Sequence, residues 1–220
     1  MHPHRGIETV TYMLAGKVNH RDTLGNAGSI GAGDIQWMTA GGGIMHEEMP
    51  QKSANLDGFQ LWVNLPRKLK MTQPRYQDVL SEKIPVVTRE NCVKIRVIAG
   101  NVDGVQGAVT EIYADPAYLD VTLPPNTSFT HPVERGPTAF AYVFEGEGII
   151  GEKNVAHTRL VILGDGDVVQ AQTEQQSMRF LLVSGLPLNE PIARYAPFVM
   201  NTQEEIRQAL FDLQNGTFVK

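Results

Sequence analysis

Short β-branched and aromatic runs, each closed by glycine or proline, restrict more than any other feature how this 220-residue chain can fold. Thr9–Leu14 ends at Gly16, and Asp34–Thr39 lies between Gly33 and Gly41. Phe59–Leu65 alternates apolar and polar side chains. Further runs follow at Lys94–Ile98, Thr110–Tyr113, Ala117–Leu123, Ala139–Phe144, Arg159–Leu163 and Met178–Val183. Turn signals separate them at Gly25-Asn26, Gly31–Gly33, Pro124-Pro125, Gly146–Gly148 and Gly164–Asp167. Alternation with period two turns one side of each strand toward a core, and short strands with regular Gly and Pro punctuation build sandwiches or barrels. The expected fold class is all-β.

One helix interrupts this pattern, from about Gln203 to Gln214. Thr202 is its expected N-cap and Glu205 completes a capping box. Ile206, Ala209, Leu210 and Leu213 form one apolar stripe, and Gly216 can end the helix. A stripe of this kind needs a surface to cover. The chain also resembles itself weakly: Leu14–Gly16 followed by Gly33-Asp34 is echoed by Phe144–Gly146 followed by Gly166-Asp167. Two copies of one barrel account for this. Pro66–Pro85, with its prolines and charges, reads as their connection.

Composition narrows the function classes. Hydrophobic residues make up 42% and charged residues 20% of the chain, enough for a folded core and against disorder. The net charge of -5 opposes broad nucleic-acid binding, which needs clustered Lys and Arg. The densest basic stretch, Arg67–Lys70, reads as a solvated linker. Cys92 is the single cysteine, so no intrachain disulfide forms, and it reads as a small core or edge residue. No apolar run reaches membrane-spanning length and the first residues carry no apolar leader core. The expectation is a soluble, cytoplasmic protein with no direct nucleic-acid or membrane partner.

The chemistry concentrates in two short motifs. In a strand, residues i and i+2 share a face, so His2-Pro3-His4 aims two imidazoles into one space. If His46-Glu47-Glu48 is also extended, His46 and Glu48 share a face and Glu47 points away. Opposed strands bring facing side chains to about 5 Å at Cβ, the scale on which four ligands meet one ion. Imidazole and carboxylate donors favour Fe, Mn, Ni, Cu or Zn over Ca and Mg. With no thiolate nearby, a finger-type zinc site is excluded. Three His and one Glu leave two octahedral positions open, which favours iron, with manganese or nickel next. His20, His131 and His157 lack neighbouring ligands and read as structural or solvent-facing, His20 in a loop. Tyr12, Trp37 and Trp62 read as core filling.

These residues carry a family resemblance. His2–Tyr12, Gly33–Gly41, Gly43–Pro50 and Phe59–Pro66 closely resemble the pirin family of the cupin superfamily, and Asn201–Ile206 with Asn215-Gly216 is similar to its C-terminal helix. The resemblance implies a bicupin: a metal-binding N-terminal cupin barrel over 1–80, a metal-free C-terminal barrel over 81–200, and a helix and tail over 201–220 packing on the N-terminal barrel. It also implies Fe2+ at His2, His4, His46 and Glu48, with Mn2+, Ni2+, Zn2+ and Cu2+ as alternatives. Glu8 stands where other cupins place a carboxylate ligand, a role pirins give to the second motif. His131–Glu134 keeps one His of the first motif, and no His follows Gly166-Asp167, hence the metal-free second barrel. Pirins carry a segment before the HPH motif, and here His2 is the second residue. That predicts an incomplete first barrel, a frayed HPH strand and weakened metal binding.

The resemblance implies two functions. One is a quercetin 2,3-dioxygenase-type activity on a small aromatic, flavonol-like substrate, with Glu48 as catalytic base. The other is a non-enzymatic, metal- or redox-dependent regulator that binds a protein partner, either a transcription factor or a metabolic enzyme. A cupin remnant with neither role is the third reading. A monomer is expected.

Overall fold

The computed structural model describes residues 1–113 and 116–219. They fall into two compact units, Met1–Lys83 with Leu188–Lys220, and Ile84–Pro187. The second boundary thus lies at 187, ahead of the expected 200, because the chain returns to the first unit before its helix.

The first unit starts with β1 (His2–His4), β2 (Ile7–Ala15), β3 (Lys17–Asp22), β4 (Ala27–Gly31), β5 (Ile35–Thr39), β6 (Ile44–Pro50), β7 (Asp57–Asn64) and β8 (Arg75–Val79). Two four-stranded sheets result, in the orders β1-β6-β3-β4 and β7-β2-β5-β8. Every pair in them is antiparallel. The alternation of β3 is complete: Val18, His20 and Asp22 are buried, and the residues between them are exposed. His20 is therefore a buried strand residue and not a loop residue, packed flat on Tyr76 with ring centroids 5.8 Å apart. The expected connection Pro66–Pro85 is corrected as well, since β8 lies inside it and pairs with β5 in regular register. Pro74 precedes that edge strand, where a missing N–H is tolerated.

The second unit contains β9 (Val86–Thr88), β10 (Lys94–Ala99), β11 (Asn101–Val102), β12 (Val105–Gln106), β13 (Ala117–Leu123), β14 (Ser128–Pro132), β15 (Thr138–Ile150), β16 (Lys153–Ala156), β17 (Arg159–Ile162), β18 (Val168–Gln172) and β19 (Met178–Gly185). Its main sheet runs β14-β18-β15-β19-β13-β10-β9, with β16 and β17 on β15. Inward residues of these strands, among them Val97, Leu119, Val121, Val143 and Phe180, form one core. Two sequence expectations fail here. Thr110–Tyr113 takes no strand, and Glu111 within it has a left-handed φ of 56°. Cys92 is exposed at φ 63° in the turn before β10, so it neither fills the core nor lies on a strand.

The chain then re-enters the first unit through the hairpin β20 (Ala193–Tyr195) and β21 (Phe198–Met200) and ends in α1 (Gln203–Gln214). The capping box forms as expected: Glu205 N–H donates to Thr202 Oγ1, and Thr202 N–H to Glu205 Oε2. Ile206 and Ala209 pack with Phe198, Met200 and Phe218, and Leu210 and Leu213 flank them, together with Met45 of β6.

One polar anchor lies in this unit where sequence placed solvent. Lys70, read as part of a solvated linker, is 1% exposed. Its three ammonium protons have three acceptors: the Gly6 carbonyl at 2.9 Å, Asn64 Oδ1 at 2.7 Å and the Val199 carbonyl at 2.7 Å. Gly6 has φ 79°, and a Cβ there would lie 2.1 Å from the Val199 carbonyl oxygen, so only glycine permits this approach. Truncating Lys70 leaves buried acceptors unsatisfied. Lys70→Ala is expected to lower stability by about 2–3 kcal/mol, read as an earlier denaturant midpoint at unchanged circular dichroism.

Candidate metal centre

β1 is short, but each of its residues pairs with β6: His2 with His46, Pro3 with Met45 and His4 with Ile44. Period two does the rest. His2 and His4 share a face of β1, and Ile44, His46 and Glu48 share a face of β6. The three imidazoles converge, with ring centroids 4.8 Å (His2–His4), 4.4 Å (His2–His46) and 5.1 Å (His4–His46) apart. One ring nitrogen from each lies within 4.8 Å of the others. His2 Nε2 and His4 Nε2 stand 3.0 Å apart. Adjacent octahedral positions at metal–nitrogen bonds of about 2.1 Å are separated by about 3.0 Å, so this pair has the spacing of two neighbouring ligands.

Electrostatics prepares the rings as neutral donors. His4 is 2% and His46 1% exposed. Burial, reinforced by the neighbouring imidazoles, pushes the pKa of each down to about 4. Burial lowers His2 too, against the pull of the Glu48 carboxylate. Near neutral pH all three rings present lone pairs, the form that binds a cation. Neither ring nitrogen of His46 has a hydrogen-bond partner, although both are buried. Buried polar atoms are normally satisfied, and an orphan imidazole pointed at two others fits a metal. The donors of the cluster fit one divalent ion.

Glu48 is placed differently from the histidines. Its Oε1 accepts from Thr11 Oγ1 at 3.1 Å, and Gln60 Nε2 donates to Oε2 at 3.0 Å and to Oε1 at 3.2 Å. It lies beside the three imidazoles, close enough to favour protonation of His2 and His4, and outside the set that converges within 4.8 Å. Glu47 points away as expected, paired with Arg21. Glu8 is fully buried on β2, where its carboxylate accepts from Thr39 Oγ1 at 2.7 Å, and burial raises its pKa. Among the other histidines, His131 stacks on Phe129 in the second unit and His157 is exposed.

Two residues of this region escaped the sequence reading, and a third, Trp62, reads in it as core filling. Thr11 and Gln60 cradle Glu48, and Trp62 closes the wall. The Trp62 ring meets His4 edge-to-face at 5.3 Å, its Nε1 donates to Gln60 Oε1 at 3.3 Å, and it is 36% exposed. Trp62 is thus no core filler, unlike Tyr12 and Trp37, which are each 1% exposed. The i, i+2 spacing of Gln60 and Trp62 on β7 was the available signal. A cavity of about 360 Å³ opens beside Glu48, lined also by Thr11, Met13, Val18, Phe59 and Gln60.

Comparison with known proteins shows what the chain is similar to. The Pirin family model matches residues 1–63, and the Pirin C-terminal cupin domain matches 118–219. Pirin-1 of Arabidopsis thaliana is 45% identical over 221 residues, covering 98% of this chain and 76% of that protein. A Thermoplasma acidophilum protein provisionally named a quercetin 2,3-dioxygenase is 39% identical over 243 residues, covering 100% of this chain and 91% of its own. A crystal structure of quercetin 2,3-dioxygenase from Acinetobacter baumannii matches with TM-score 0.92 at 39% identity, over 99% of this chain and 77% of that one. The expectation of a frayed HPH strand is corrected: the Pirin family match takes in residue 1, and all of β1 is paired with β6. No described helix is long and apolar enough to cross a membrane. Strand order, paired histidine motifs and full-length similarity lead to one conclusion: this chain is an all-β bicupin and belongs to the pirin family.

Proposed function

We propose that the chain is a metal-dependent dioxygenase of the quercetin 2,3-dioxygenase type, holding Fe2+ with His2, His4, His46 and Glu48. The observation that carries this reading is the convergence of two buried imidazoles, His4 and His46, with the less buried His2, beside a carboxylate and a cavity. The donor set suits a divalent first-row metal, and iron is the choice that combines imidazole and carboxylate ligation with oxygen chemistry. Similarity to quercetin 2,3-dioxygenases supports the same activity class.

When bound, the metal supplies Lewis acidity toward a substrate hydroxyl and the redox capacity that dioxygen chemistry requires. The chain's own residues do the rest. A cavity of about 360 Å³ is of ligand size, and Met13, Val18 and Phe59 give it apolar walls for a flat aromatic ring. Glu48 stands at that wall as the proton acceptor for a flavonol hydroxyl. Thr11 and Gln60 hold its carboxylate by hydrogen bonds and so fix where the proton goes. Trp62 and the strand pairing around the histidines restrict water at the cluster.

Three outcomes test this. His46→Ala is expected to remove most bound iron, measured by elemental analysis of protein loaded anaerobically. Glu48→Gln is expected to cut quercetin-dependent oxygen uptake at least ~100-fold while most of the iron is retained. Iron-loaded wild-type protein that consumes no oxygen with quercetin would sink the enzymatic reading and favour the regulatory one. The third concerns pH. In the metal-free protein His4 and His46 titrate near 4 against 6.5 in the unfolded chain. Between those values the unfolded chain binds protons that the folded chain refuses, so stability rises with pH there and falls on acidification. Thermal unfolding of metal-free protein from pH 7 to pH 4 should show this decline, and His4→Gln should flatten it.

A further inference from the structure

Arg5 directly follows His4, and it is among the largest fully buried side chains, 1% exposed. Successive strand residues point to opposite faces, so Arg5 leaves the backbone on the side away from the imidazoles. There it meets the C-terminal segment of the same unit. Its Nη1 donates to Asp212 Oδ2 at 2.6 Å, its Nη2 donates to the Phe218 carbonyl at 3.0 Å, and its guanidinium lies 4.3 Å over the Phe218 ring. Asp212 is the one charged residue among the buried positions of α1, and Gln208 Nε2 holds its other oxygen at 2.7 Å. The backbone reinforces the contact: Val199 N–H donates to the Arg5 carbonyl at 3.1 Å, and Lys70 joins the Gly6 and Val199 carbonyls.

An apolar stripe alone would hold α1 against this unit. A buried ion pair adds little net stability over an apolar contact, and its best-attested use is to fix register. The element whose position it fixes here is β1. That strand lies at the end of its sheet, with β6 as its one strand neighbour. His2 and His4 are therefore located by β6 on one side and by the Arg5 clamp on the other.

We propose that Arg5 and Asp212 are positioning residues for the His2–His4–His46 centre, so that docking of α1 sets where the two β1 imidazoles stand. This rests on the metal reading above. Coupling of this kind is reciprocal: a metal that draws His2 and His4 into place must tighten the docking of α1 by the same factor. A merely structural ion pair carries no such linkage.

Hydrogen exchange on the full-length chain, metal-free and with saturating nickel(II), tests it through the amides of Gln203–Gln214. Nickel(II) is expected to slow their exchange about 10-fold or more in wild type. Asp212→Asn and Arg5→Lys are expected to weaken nickel(II) binding roughly 10–100-fold, the range for residues that orient ligands, and to abolish the slowing in α1. Glu204→Gln, which breaks only an exposed pair with Arg207, should change neither. If wild type binds nickel(II) through His46 and exchange in α1 does not respond, the inference is wrong and the metal reading stands. If wild type binds no nickel(II), the metal reading itself fails and takes the inference with it. Should either variant not fold, the wild-type comparison decides alone.

Discussion

The candidate centre depends on one antiparallel register, His2 opposite His46. Side chains in a strand have period two, so a slip of one residue would turn Arg5 and Pro3 toward β6's ligand face and send both imidazoles out of it. A three-residue strand cannot hold its register by its own ladder. The fold pins it from the next two residues. Arg5 is locked by Asp212 and Phe218, and Gly6 lies so close to Val199 that no side chain fits. β1 is thus fixed by chemistry on the face away from the imidazoles.

The same region concentrates groups that folding does not favour by themselves. Three imidazoles crowd together, two of them buried, and His46 has no partner for either nitrogen. Each unsatisfied buried polar atom costs on the order of 1–3 kcal/mol. Arg5, Lys70 and Glu8 add buried polar or charged groups nearby. Each of these three is hydrogen-bonded, which is why they are tolerated, whereas His46 is not. The contrast sets His46, unpartnered at both nitrogens, apart from the three residues whose hydrogen bonds help build the fold.

Much of this was legible in the sequence, unevenly. Thr9–Leu14 and Asp34–Thr39 declare themselves as strands by their β-branched and aromatic side chains, and Phe59–Leu65 by its alternation. β3 and β4 do not, since Lys17–Asp22 and Ala27–Gly31 are mostly polar or small and gain their strand form from pairing, β3 with β6 and β4 with β3. The HPH and HEE motifs foretold three of the converging groups. The cradle around Glu48 could not be foretold, because Thr11 and Gln60 come from strands whose adjacency to β6's carboxylate is a matter of barrel curvature.

Local chemistry alone, then, determined the all-β class, the capped terminal helix and the residue types able to hold a metal. Each follows from spacing within a few residues: period two, the Thr202–Glu205 box, the alternation of His2 and His4. Tertiary structure decided what depends on residues far apart. It turned Lys70 from an expected surface charge into a buried clamp and gave Glu48 partners outside the imidazole cluster. It also joined Arg5 to Asp212 across 207 positions. Burial and pairing of this kind arise only when distant strands close on one another, and no local pattern encodes that closure.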